Sequence, residues 1–129
     1  MQTTNKFILW GAVSAFLAVA IGAFGAHGLE PVLEEHGTKA TFETGVQYHI
    51  AHALALLFLA SLSDKFTGSK RWTWAGTMFL TGMILFSGSL YILSVTGIKV
   101  LGAITPLGGV AFLTGWTLVA MTAVQRNKP

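Results

Sequence analysis

From Phe7 to Ala26, twenty consecutive residues carry a single polar side chain, Ser14. A helix needs about 20 apolar residues to cross roughly 30 Å of hydrocarbon. Three further stretches of similar make-up follow, at about 44–62, 72–95 and 100–124. Inside a bilayer every backbone N–H and C=O must be satisfied by the protein itself, so a spanning segment is either a helix or a strand of a closed barrel. None of the four alternates polar and apolar residues with the period of two that a barrel strand shows. The expectation is an all-α integral membrane protein, one domain over residues 1–129, with four transmembrane helices in an antiparallel bundle.

Composition agrees. Hydrophobic residues make up 53% of the chain and charged residues 10%, against about 25% charged in soluble domains. The mean hydropathy is +0.64. Cysteine is absent, which excludes disulfides, thiolate metal sites and thiol nucleophiles. The formal charge of +3 does not mark a nucleic-acid binder, because the basic residues lie singly at segment ends and not along one face with aromatics.

Lys6 before the first run and Ala18-Val19-Ala20 within it resemble a secretory leader. The run is longer than the apolar core of about 7–15 residues typical of leaders, so it is expected to be a retained helix. Lys6, Lys65, Lys70, Arg71, Arg126 and Lys128 fall on one side of the expected topology, whereas Lys39 and Lys99 share the other with Glu30, Glu34, Glu35 and Glu43. Cytoplasmic loops carry the excess of Lys and Arg. Both termini are therefore expected in the cytoplasm and the protein in the cytoplasmic (inner) membrane. The acidic loop is expected outside. In that loop, Pro31 suits the first turn of a short interfacial helix over 30–36, Gly37 suits its end, and Thr38 or Thr41 is placed to cap the second membrane helix.

Lipid tails do not drive apolar helices together, so close backbone approach at small residues does. Gly11, Ala15, Ala18, Gly22 and Gly25 form a heptad-like stripe on the first helix. Ala75, Gly82 and Ser89 recur every seventh residue on the third, with Gly88 beside them, and Gly108, Ala111 and Gly115 share a face on the fourth. These seams predict packing within the bundle and, being more than four helices need, a homo-oligomer in membrane lipid. Thr105, Pro106, Gly108 and Gly109 mark a bend, since proline removes one intrahelical bond.

The chemistry-bearing stretch is Gln47-Tyr48-His49-Ile50-Ala51-His52. Tyr48 and His52 share a helix face, and His52 lies about 12 Å inside the membrane if the uncharged helix starts at Thr44. An ionisable group at that depth usually faces the bundle interior. Candidate partners are His27 at the outer end of the first helix and Ser87, Ser89 and Tyr91 on the third. Three readings are open. In the first, His52 hydrogen-bonds a neighbouring helix while Tyr48 and Trp72 anchor the interface, in a structural or membrane-organising protein. In the second, His27, Glu43, Tyr48 and His52 enclose a small ligand, lipid or ion near the outer face, with the Pro106 bend as a wall, or serve oligomeric transport. In the third, His27 and His52 bind haem or a metal through imidazole nitrogen. Otherwise no cofactor or metal is expected. No nucleophile–base pair, phosphate loop or intramembrane carboxylate pair points to an enzyme.

Five ordered motifs carry a resemblance: GAFGAHGL (22–29), FETxxxYHxxH (42–52), LFSGSLY (85–91), ITPLGG (104–109) and GW (115–116). Together they resemble the small bacterial membrane proteins of domain of unknown function 423, a family that includes the eukaryotic transmembrane protein 256. The resemblance implies four membrane helices and no defined activity. It singles out Gly22, Gly25, His27, Gly28, Tyr48, His52, Ser87, Gly88, Ser89, Tyr91, Thr105, Pro106 and Gly109. His49 departs from the pattern, where glutamine is expected, which counts against a mechanism needing both His49 and His52.

Overall fold

The computed structural model describes residues 2–126. Four helical spans of 25, 28, 27 and 27 residues are long and apolar enough to cross a membrane. The first is α1, Thr3–His27, joined through α2, Glu30–His36, to α3, Lys39–Leu62. A 3₁₀ turn, Ser63–Phe66, leads to α4, Lys70–Gly82, which continues through a π turn, Met83–Ser87, into α5, Gly88–Thr96. A second 3₁₀ turn, Lys99–Ala103, precedes α6, Thr105–Arg126. No strand occurs among the described residues.

The helices stand in the order α1, α3, α4–α5, α6, each packed chiefly on its neighbour in that series. Close backbone approach sets the contacts. Gly11 faces Leu57 and Ala53, Gly22 faces Val46, and Gly25 lies beneath the Phe42 ring, so the stripe on α1 is spent on α3. Across the bundle, Gly82 receives Phe112 and Gly115 receives Phe79. Gly88 departs from expectation: nothing lies within 4 Å of a side chain built there, so it packs against no neighbour. With the other seams consumed inside one chain, they no longer argue for a second copy.

The short helix α2 ends at Gly37, whose φ of +65° puts it in the left-handed region. Gly37 N–H bonds Glu34 O and Thr38 N–H bonds Leu33 O, the paired closure of a glycine-terminated helix. The helix α3 then starts at Lys39, five residues before the expected Thr44. Thr38 occupies its N-cap without a side-chain cap; its hydroxyl instead donates to Ser94 O at 2.7 Å, tying α3 to α5. Trp72 also differs from expectation. It is buried, donates from Nε1 to Leu59 O and Ser63 Oγ, and stacks on Phe66, so it joins α3 to α4 and is no interfacial anchor. On the same side of the bundle, Arg71 donates to Gln125 Oε1 and links α4 to α6.

The expected bend at Pro106 is a helix start. Pro106 lies in the first turn of α6, where an N–H has no intrahelical partner anyway. The irregularity falls on the third span, where the π turn widens the backbone ladder. Serines stitch that turn in place. Ser87 Oγ donates to Gly45 O at 2.8 Å, and Ser89 Oγ bonds Phe86 O at 3.0 Å and Thr105 Oγ1 at 2.6 Å.

A candidate site of two mid-membrane histidines

Between Glu43 and Asp64, α3 and its 3₁₀ extension carry no Asp, Glu, Lys or Arg. That stretch is about 30 Å long, so His52 lies about 12 Å from the end nearer α2, close to the middle of the uncharged stretch. Trp116, at mid-length of α6, reaches His52 from the far side of the bundle.

The indole N–H of Trp116 donates to His52 Nε2 at 3.0 Å. Indole nitrogen is a donor only, so Nε2 must be the unprotonated nitrogen of a neutral ring. The proton is then on Nδ1, which donates to Tyr48 O at 2.8 Å, one turn back on α3. Both ring nitrogens are therefore engaged. The imidazole stacks on Phe112, with centroids 3.7 Å apart and planes at 11°, and meets the edge of Phe79. The Tyr48 ring closes this cluster against Phe86, while the residue as a whole stays 43% exposed.

His49 points to a second partner. Its Nδ1 lies 2.8 Å from Tyr91 Oη on α5. Gly45 admits the Tyr91 ring, since a side chain there would come within 3.0 Å of Tyr91 Cε1. His49 is 8% exposed, and only Nδ1 of its ring forms a hydrogen bond among the described residues.

The other expected members lie elsewhere. His27 is exposed at the C-terminal end of α1. The register of α1 on α3 puts Gly25 beside Phe42 and Gly11 beside Ala53. His27 and His52 are thus separated by about 20 Å along the bundle and cannot share a haem or metal. Glu43 is exposed and borders a cavity of about 370 Å³ with Glu30, Lys39 and Phe42, above the histidines. Ser87 and Ser89 serve the π turn, and Tyr91 serves His49. Among the described residues no three His, Asp or Glu side chains converge as a metal site. The true partner of His52, Trp116, was legible only as half of a GW pair. The phase of Gly108, Phe112 and Gly115 on α6 was the usable signal, because it turns Phe112 onto the His52 ring, and Trp116, one turn further on and 47% exposed, reaches the same ring from the edge of that face.

The profile described as "Protein of unknown function (DUF423)" matches residues 21–109. The chain belongs to this family. The UPF0382 membrane protein YwdK of Bacillus subtilis (strain 168) is 54% identical over 119 residues, covering 92% of this chain and 96% of its own. UPF0382 membrane protein SAB0533 of Staphylococcus aureus (strain bovine RF122 / ET3-1) is 48% identical over 119 residues, covering 92% and 95%. UPF0382 membrane protein SSP2132 of Staphylococcus saprophyticus is 44% identical over 115 residues, covering 89% and 93%. No solved structure matches this chain. Like these relatives, this DUF423 member is a membrane protein, and its four apolar helices make it an integral one.

Proposed function

We propose that this DUF423 protein is a non-catalytic structural component of the cytoplasmic membrane, and that its central histidine is a helix clasp and not a reactive group. One observation carries the reading: both nitrogens of His52 are already engaged, one to α3 and one to α6. A metal or haem would have to displace one of those bonds. Gentle purification of wild type beside His52→Ala tests this by absorption spectrum and metal analysis. Neither protein is expected to show a Soret band or stoichiometric metal, and the variant loses only stability, by about 3 kcal/mol as cavity and hydrogen-bond losses combine. A chromophore or metal present in wild type and lost in the variant would overturn the reading.

The same proposal places the starts of α1 and α4 and the end of α6 in the cytoplasm. Lys6, Lys65, Lys70, Arg71 and Arg126 lie at that end of the bundle, against Lys39, Lys99 and four glutamates at the other. Lys128, counted with them from sequence, lies outside the described residues. Cysteine labelling from outside intact cells reads the orientation without background. Gly37 and Gly68 have φ of +65° and +81°, where a side chain is strained, so Glu35→Cys and Thr67→Cys are the better reporters. Labelling at residue 35 alone is expected; labelling at residue 67 alone would invert the topology.

A further inference from the structure

His49 and Tyr91 form the floor of an apolar groove of about 560 Å³ that opens toward lipid. One wall is α1, with Trp10, Val13 and Leu17; the other is the α4 to π segment, with Leu80 and Ile84. Ser14, the lone polar residue of the first apolar run, lines the same groove, as does Gly88, the one seam glycine with no neighbour to receive. The volume is in the range of about 300–1,000 Å³ that takes small ligands.

Counting hydrogens specifies what fits. A neutral imidazole has one N–H and a phenol one O–H, and a single bond joins His49 to Tyr91. If the phenol donates, the imidazole Nε2–H is left over; if the imidazole donates from Nδ1, the phenol O–H is left over. Either way one donor remains, and no described side chain accepts from it. An unmet donor in hydrocarbon costs several kcal/mol. The occupant that relieves it must bring an acceptor oxygen. A phospholipid ester is held at the boundary by its head group, and His49 lies about 8 Å below the start of the uncharged stretch at Thr44. A neutral ring carbonyl is free to travel deeper.

We propose that this groove binds a neutral, elongated carbonyl compound of the isoprenoid-quinone class, its ring oxygen accepting from the His49–Tyr91 pair and its tail lying along α1. The inference is independent of the role of His52, which lies against α6 and does not line this groove.

The test is a titration of the protein in lipid nanodiscs with a benzoquinone bearing a ten-carbon tail, read by quenching of tryptophan fluorescence, with Trp10 in the groove wall as reporter. Wild type is expected to show a saturable component above the linear quenching caused by partition into lipid. His49→Leu combined with Tyr91→Phe removes both donors and is expected to weaken saturable binding at least tenfold, whereas His49→Leu alone leaves the Tyr91 O–H to donate. Gly88→Leu puts a branched side chain into the groove from a position with open space around its Cβ and leaves both polar side chains intact; it is expected to abolish the saturable component without loss of thermal stability. Purely linear quenching in wild type, or saturation unchanged in Gly88→Leu, would overturn the proposal. So would equal displacement of the quinone by a ten-carbon alkane, which would assign the groove to hydrocarbon tails.

Discussion

Gly108→Ala is expected to destabilise the protein by about 3 kcal/mol, at the upper end of what overpacking a close helix contact costs. A methyl at residue 108 would lie 2.3 Å from Phe86 N and 2.7 Å from its Cα. Those atoms are backbone, so no rotamer change can relieve the clash. Either α6 shifts away or the π turn moves, and both disrupt the serine bonds that hold it, Ser87 to Gly45 O and Ser89 to Thr105. Two other glycines bracket the result. At Gly22 the nearest atom is a flexible methyl of Val46 at 3.2 Å, and at Gly88 there is open space. Gly22→Ala is therefore expected to be nearly neutral, while Gly88→Ala is expected to gain up to about 1 kcal/mol of helix propensity. Thermal unfolding of the three variants in one mild detergent, followed by loss of the monodisperse species, reads the order directly. Equal losses at residues 88 and 108 would mean that α6 does not approach the π turn as described.

The four spans were legible because hydrocarbon imposes one rule on every backbone group, and length alone then locates a helix. The α2 cap was legible for a similar local reason: Pro31 and Gly37 each have one cheap position in a short helix. Partners across the bundle were not. His52 and Trp116 are 64 residues apart, and the phase of α3 relative to α6 depends on where α4 and the π turn leave the chain. Ala75, Gly82 and Ser89, seven apart, all meet α6 across the π turn, whereas Gly88, one residue before Ser89, is turned away from that contact and borders the groove beside α1. From sequence, His49 reads as facing away from His52, about 60° round α3, and as a departure from the family pattern, but the partner it meets, Tyr91, lies 42 residues on and was not legible. Trp72 was misjudged because an indole at a segment start fits an anchor and a buried clasp equally well until its neighbours are known.

The clasp at His52 makes a prediction that separates it from ordinary packing. In His52→Phe the new ring keeps its stack on Phe112, but the Trp116 N–H loses its acceptor within the apolar span. In Trp116→Phe the His52 ring loses its donor instead. Each single change is expected to cost about 2 kcal/mol, chiefly from the group left unpaired. The double variant leaves neither the Trp116 donor nor the His52 acceptor in place, so it is expected to be about as stable as either single one, a coupling of about 1–2 kcal/mol, near the largest values found between membrane helices. If the two rings were merely neighbours in a packed cluster, the single effects would add and the coupling would fall to a few tenths of a kcal/mol. That outcome would remove the tautomer assignment along with the clasp, since the unprotonated Nε2 follows only from the indole bond. It would also return His52 to the set of side chains with a nitrogen free to bind something, which is the reading that the observed bond now opposes.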